Sequence, residues 1–92
     1  MPSGETLSTL LETESVRVER IASNGCSSPE NFWYDQEQNE WVLLLNGTAR
    51  LEFEGGLVRK LSAGDHLLIE RHVKHRVEEA SPDALWLAVH YQ

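Results

Sequence analysis

The sequence predicts an all-β domain, a sandwich or barrel of short strands, on three observations. Apolar and polar residues alternate with a period of two in one segment after another. Clusters of Gly, Asn, Asp, Ser and Pro punctuate those segments at regular intervals, and no stretch keeps the 3.6-residue spacing of a long helix. Ninety-two residues make one domain. A chain of this size buries only roughly 60–65% of the surface its unfolded form exposes, so self-association would add burial that the single chain lacks.

Residues 1–15 form a polar lead-in in which Leu7, Leu10 and Leu11 allow at most one helical turn. From Val16 the pattern becomes alternation, Val16 and Val18 against Arg17 and Glu19, which reads as a half-buried strand ending near Ser23. Asn24-Gly25 and Ser27-Ser28-Pro29 then break the chain as loop, Asn31 to Tyr34 is a short aromatic strand candidate, and 35–39 is a polar connection. Glu40 to Leu45 and Thr48 to Phe53 are the best-defined strands, joined at Asn46-Gly47, a dipeptide suited to a tight hairpin. Ala49, Leu51 and Phe53 alternate with Thr48, Arg50 and Glu52, giving one wet face. Glu40, Val42 and Leu44 share a face, yet Trp41, Leu43 and Leu45 on the other are apolar too, so this strand needs cover on both sides. After a turn at Gly55-Gly56 come a strand at Leu57–Leu61, a turn at Ser62–Asp65, and an alternating strand from His66 to Glu70. His75–Glu79 and Ala84–Tyr91 close the domain as a hairpin around Ser81-Pro82-Asp83.

Charge and cysteine content exclude several classes of function. The net charge of −7, from 15 acidic and 8 basic residues, opposes a nucleic-acid backbone or an anionic membrane surface. The amino terminus carries acids where a signal peptide needs bases, and no apolar run approaches the ~20 residues that span a bilayer. Cys26 is the only cysteine, so no internal disulfide or cysteine zinc cluster can form, and a cytoplasmic location is expected. The same cysteine has no His at a recognisable spacing for nucleophilic catalysis, and Gly55-Gly56 reads as a turn, not a phosphate cradle. The apolar second face at Trp41, Leu43 and Leu45 predicts a homodimer.

Two spacings carry the chemistry. Glu40 precedes Gly47 by seven positions, and Gly64 precedes His75 by eleven. With the all-β pattern, Glu40-WVLLLN-Gly47 and Gly64-Asp65…His75 resemble the two motifs of the cupin superfamily, over roughly two thirds of the chain. The resemblance implies a small single-domain cupin, RmlC-like, with a double-stranded β-helix or jelly-roll barrel. It is incomplete. The first motif carries His-x-His ahead of the Glu, and here those positions hold Tyr34 and Gln36, or Trp33 and Asp35. In the second motif Glu70 stands at the Pro and His72 at the Gly.

In metal-binding cupins the motif histidines and the Glu converge on a divalent ion, usually Fe, Mn, Ni or Zn, so the resemblance makes Glu40 and His75 metal candidates. Two further candidates come from position. A hairpin joining 75–79 to 84–91 through a four-residue loop would set His90 diagonally from His75 on one face, whereas an odd loop would point it away. Asp35 stands at the second motif-one His in one of the two alignments. Tyr34, Gln36 and Trp33, beside the mouth where cupins admit ligands, are the ligand-binding candidates. Trp41 and Trp86 read as core, His72 as a loop residue and His66 as rim or solvent. Three functions stay open: a metal-dependent enzyme acting on a small molecule, a metal-free small-ligand-binding module, and a structural dimeric module.

Overall fold

The structure, a computed structural model, describes residues 5–25 and 32–92. Cys26, the Ser27-Ser28-Pro29 loop and the start of the 31–34 strand candidate lie outside the described residues. Among the described residues there are eight strands and no helix: β1 (Thr6–Glu12), β2 (Val16–Ala22), β3 (Asn39–Asn46), β4 (Thr48–Phe53), β5 (Val58–Ser62), β6 (His66–Ile69), β7 (His75–Ala80) and β8 (Leu85–Tyr91). They form two antiparallel sheets facing each other as a jelly roll, one in the order β1-β2-β8-β3-β6 and the other β5-β4-β7. No helix among these residues is long and apolar enough to cross a membrane.

The core lies between the sheets. Val42 and Leu44 from β3 and Trp86 and Ala88 from β8 meet Ala49 and Leu51 from β4 and Leu61 from β5. Each set comes from alternate positions of its strand, as one-sided burial requires. Trp86 is core as expected. Trp41 is not: it sits half-buried on the outer face of β3 with its ring against His66, centroids 5.7 Å apart.

Three sequence expectations are corrected. Residues 6–12 are not a loose or helical lead-in but a strand, paired antiparallel with β2 and interrupted by a bulge between Thr9 and Leu11. Asn46-Gly47 is not a hairpin: β3 and β4 lie in different sheets, and the chain crosses from one to the other at Gly47. The loop finds its hydrogen bonds in residues 81–83, with Thr48 N donating to Ser81 Oγ at 2.9 Å, Ser81 N to Thr48 O at 2.9 Å and Asn46 Nδ2 to Asp83 O at 3.1 Å. Likewise β7 and β8 do not pair; β7 joins β4, and β8 lies between β2 and β3. Only β4–β5, around Gly55-Gly56, is the hairpin the sequence implies.

Both motif glycines have positive φ, +82° at Gly47 and +94° at Gly64, a region costly for residues with a Cβ. At Gly47 space is also lacking, since a Cβ would approach Ala84 Cα to 2.8 Å and collide with the Ser81 hydroxyl.

Candidate functional site

Register brings the site together. Glu40 on β3 and His90 on β8 are direct cross-strand partners, so their side chains share the inner face of the five-stranded sheet. His75 comes from the opposite sheet, where it pairs with Phe53 on β4 and forms an isolated bridge to Tyr34. All three are buried. Glu40 lies between the imidazoles: its Oε1 is 3.9 Å from His75 Nε2 and its Oε2 is 3.9 Å from His90 Nε2. His75 and His90 both line one cavity, from opposite sheets of the barrel and not along a hairpin.

The rings are oriented by their other contacts. His75 Nδ1 lies 2.9 Å from Val73 O; a carbonyl only accepts, so Nδ1 carries the proton and the lone pair of the neutral ring sits on Nε2, facing Glu40. Tyr34 stacks on the same imidazole at 5.4 Å and Phe53 tilts against it at 6.2 Å. His90 Nε2 lies 3.0 Å from Glu19 Oε1, while Arg17 Nε lies 3.3 Å from Glu19 Oε2. An alternating line of charge and imidazole therefore runs Arg17, Glu19, His90, Glu40, His75.

Burial dominates the titration of this line. It raises the Glu40 carboxyl to about 7, against a hydrogen bond from Gln36 that favours the anion and a nearby Glu19 that opposes it. Burial lowers His75, opposed by its bond to Val73, and lowers His90 with help from Arg17. Near neutral pH the two rings are neutral and Glu40 exchanges its proton.

These residues line a cavity of about 210 Å³ whose other walls are mostly apolar, among them Ile21, Val42, Leu51, Ile69, Val77 and Trp86, with Glu5 at one side. A polar mouth holding Arg17, Gln36, Gln38 and Arg71 adjoins it. Of the ligand candidates, Tyr34 and Gln36 line the cavity. Alternation through 32–36 turns their neighbours outward: Trp33 is exposed and forms none of the cavity wall, and Asp35 sits at the surface with Oδ1 2.9 Å from His72 Nδ1. Asp35 and Trp33 thus stand outside the cavity wall. His72 is in a loop, as expected, and holds φ of +61° at the position where the resembling motif has Gly. Among the described residues, no three His, Cys, Asp or Glu side chains stand close enough to form a metal cage as placed.

Glu19 and Arg17 were missed as site residues. The one signal was the alternation in β2, which also fits a solvated charged face.

The cupin domain family model matches residues 17–90. No curated protein matches the chain. A crystal structure from Ralstonia eutropha JMP134, provisionally described as a mannose-6-phosphate isomerase, is similar with 41% identity and a TM-score of 0.93, over 98% of this chain and 86% of that one. KdgF from a Halomonas species is similar at 20% identity and a TM-score of 0.84, over 97% of this chain and 81% of that one. A cupin-2 domain protein from Shewanella frigidimarina NCIMB 400 follows at 15% and 0.77, over 95% and 80%. At these lower identities the likeness is one of fold.

Proposed function

Because the chain belongs to the cupin domain family, we propose that its barrel cavity takes up a small organic molecule at a divalent-metal site made by Glu40, His75 and His90, and that it works as a cytoplasmic homodimer. One observation carries the site: a buried carboxylate has an imidazole Nε2 3.9 Å away on each side, inside a largely apolar cavity. The donor set fits Fe, Mn, Ni or Zn, which accept imidazole and carboxylate together. His75 fits best, because its proton is held at Nδ1 by Val73 O and the Nε2 lone pair is left free to ligate, as metal-binding histidines usually are held by a carbonyl or carboxylate at the other ring nitrogen. His90 fits once Glu19 gives up Nε2.

When bound, the metal would polarise a carbonyl or hydroxyl oxygen of the guest. The protein's own groups do the rest. Glu40, raised to about 7 by burial in the metal-free site, gives up its proton to hold a metal, so metal uptake should release a proton near neutral pH. Tyr34 and Trp86 wall the guest, and Gln36 sits where it can orient polar atoms. A phosphate inside the cavity is not favoured, because among the described residues Arg17 is the only Lys or Arg of the lining and Glu5, Glu19 and Glu40 share it.

A second reading, a metal-free ligand-binding or structural dimeric module, is favoured by the contact of Glu19 with His90 Nε2 and by the spread of the donors. Elemental analysis of untagged protein prepared without chelator separates the two. Near-stoichiometric Fe, Mn, Ni or Zn, lost in His75→Ala and Glu40→Gln, is the expected result. Protein that arrives metal-free and refuses added ions, yet melts higher with small ligands, would establish the second reading.

A further inference from the structure

The mouth of the barrel carries positive charge that the cavity below it largely lacks. Strand ends and loops gather there: Arg17 at the start of β2, Gln36 and Gln38 ahead of β3, Arg71 just past β6 and Gln92 just past β8. Register fixes the row beneath, because Arg17 pairs with His90, His90 with Glu40 and Glu40 with Ile69 across β2, β8, β3 and β6. Arg71 lies two residues beyond Ile69, and its backbone N donates to Asn39 Oδ1 at 3.0 Å, which ties it to the residue before Glu40. Arg17, Gln36 and His90 line both mouth and cavity, so the two adjoin through them. The Arg71 guanidinium is uncommitted. Among the described residues, four of the Lys and Arg side chains form ion pairs: Arg17, Arg50, Lys74 and Arg76. Of the rest, Arg20 lies on β2, Arg59 and Lys60 lie on β5, and Arg71 alone is at the mouth. Arg17 is only partly used, since its buried Nε lies 3.3 Å from Glu19 Oε2 yet has no hydrogen-bond partner. Glu37 is the one acidic side chain of the mouth among the described residues, and it is exposed.

We propose that Arg71 and Arg17 hold the carboxylate of the guest at this mouth, with Gln36 and Gln38 as neutral donors, so that the small molecule of the barrel is a monocarboxylic acid seated body first. The proposal rests on the cavity reading above and names the class of guest. Charge selects the head group. Two guanidiniums beside one glutamate suit a single negative charge, whereas a phosphate dianion would meet Glu37 at the rim and Glu19 below it. A guanidinium takes a carboxylate through two parallel hydrogen bonds, and an arginine without a partner has both to give. The cavity selects the body. Its walls at Ile21, Val42, Leu51, Ile69 and Trp86 take aliphatic carbons. Its volume of about 210 Å³ is room for roughly seven waters, or for an acid of about that many non-hydrogen atoms. A hydroxyl or carbonyl oxygen along such a chain would come to His90 and Glu40, the next residues in the row from Arg17.

The test is an NMR titration of the isotope-labelled full chain with hexanoate and with hexanamide, its uncharged isostere, in chelator-treated and in zinc-loaded protein. Expected are saturable shifts at Arg71, Gln36 and Gln38 in both forms, with hexanoate bound roughly tenfold or more tightly than hexanamide. Arg71→Gln changes an exposed side chain and should fold; it should lose that roughly tenfold advantage for hexanoate and leave hexanamide binding unchanged. Arg59→Gln on β5 should match wild type. Equal affinity for acid and amide, or an Arg71→Gln chain that binds hexanoate like wild type, overturns the carboxylate subsite and leaves the cavity reading intact. Hexanoate that binds only with zinc is ligating the metal, which overturns the subsite and supports the metal site. Inorganic phosphate that displaces hexanoate at a lower concentration overturns the monoanion class. If no straight-chain acid from butanoate to octanoate binds, the subsite and the small-molecule reading fall together.

Discussion

Glu40 is the residue whose protonation the fold controls most. Its carboxyl stands at about 7 in the folded protein because burial disfavours the anion, against the ordinary 4.5 expected when unfolded. Between those values the folded state binds the extra proton. The stabilising effect of protonation is therefore fully present below about 4.5 and is lost as pH rises through about 7. His75 and His90, with lowered values, act in the opposite sense: their neutral rings support the fold above 6.5, and that support fades as pH falls below it. Glu40→Gln has the same shape and no titration. In chelator-treated protein it should gain on wild type from pH 5 to pH 8 by an amount on the order of 3 kcal/mol, read from urea denaturation at each pH. Equal stability differences at the two pH values would show that Glu40 is already ionised in the fold. Glu40 and His75 were legible as a pair through their motif spacing. Glu19 was not, because Arg17 and Glu19 against Val16 and Val18 look like a wet face opposite a buried one. The fold inverts that assignment: Arg17 and Glu19 face the cavity and Val18 faces outward.

Strand positions were readable at the level of elements, whereas their partners were not. Thr48–Phe53 is a strand with the predicted bounds, and β2, β3, β5, β6, β7 and β8 fall within one or two residues of expectation. Alternation reports a strand's own conformation, but which strand lies beside it depends on loops that can turn back or cross over. Gly47 shows the difference. Asn-Gly has the dihedral freedom for a hairpin, yet that freedom serves a crossover pressed against residues 81–84. The two motif glycines should separate accordingly. Gly64→Ala meets nothing within 4 Å and costs only the positive φ, about 1–2 kcal/mol. Gly47→Ala bears the same dihedral penalty and must also push back the Ala84 backbone, so a loss of about 3 kcal/mol or more is expected. Chemical denaturation of both variants checks the order, and equal losses would mean that the 81–84 loop yields freely.

For the molecule as a whole, the polar lead-in is the segment whose place is least evident from composition. Residues 6–12 add a fifth strand at the edge of the sheet, yet Leu7, Leu10 and Leu11 stay largely exposed and none joins the core. Their contribution is to wall the site: Glu5 and Leu7 line the cavity from the side where β2 would otherwise be the edge. A chain lacking residues 1–12 should therefore still unfold cooperatively, at a cost of about 2 kcal/mol for the lost ladder and partial apolar burial. The metal binding proposed above should survive, because Glu40, His75 and His90 all lie on β3, β7 and β8. Small-molecule affinity should fall, since one wall is gone. Two measurements on the truncated chain decide it, a denaturation curve and bound metal per chain. Loss of cooperative unfolding would make β1 integral to the core and draw the domain boundary ahead of residue 6. Loss of metal with folding intact would place a donor or its support in the lead-in.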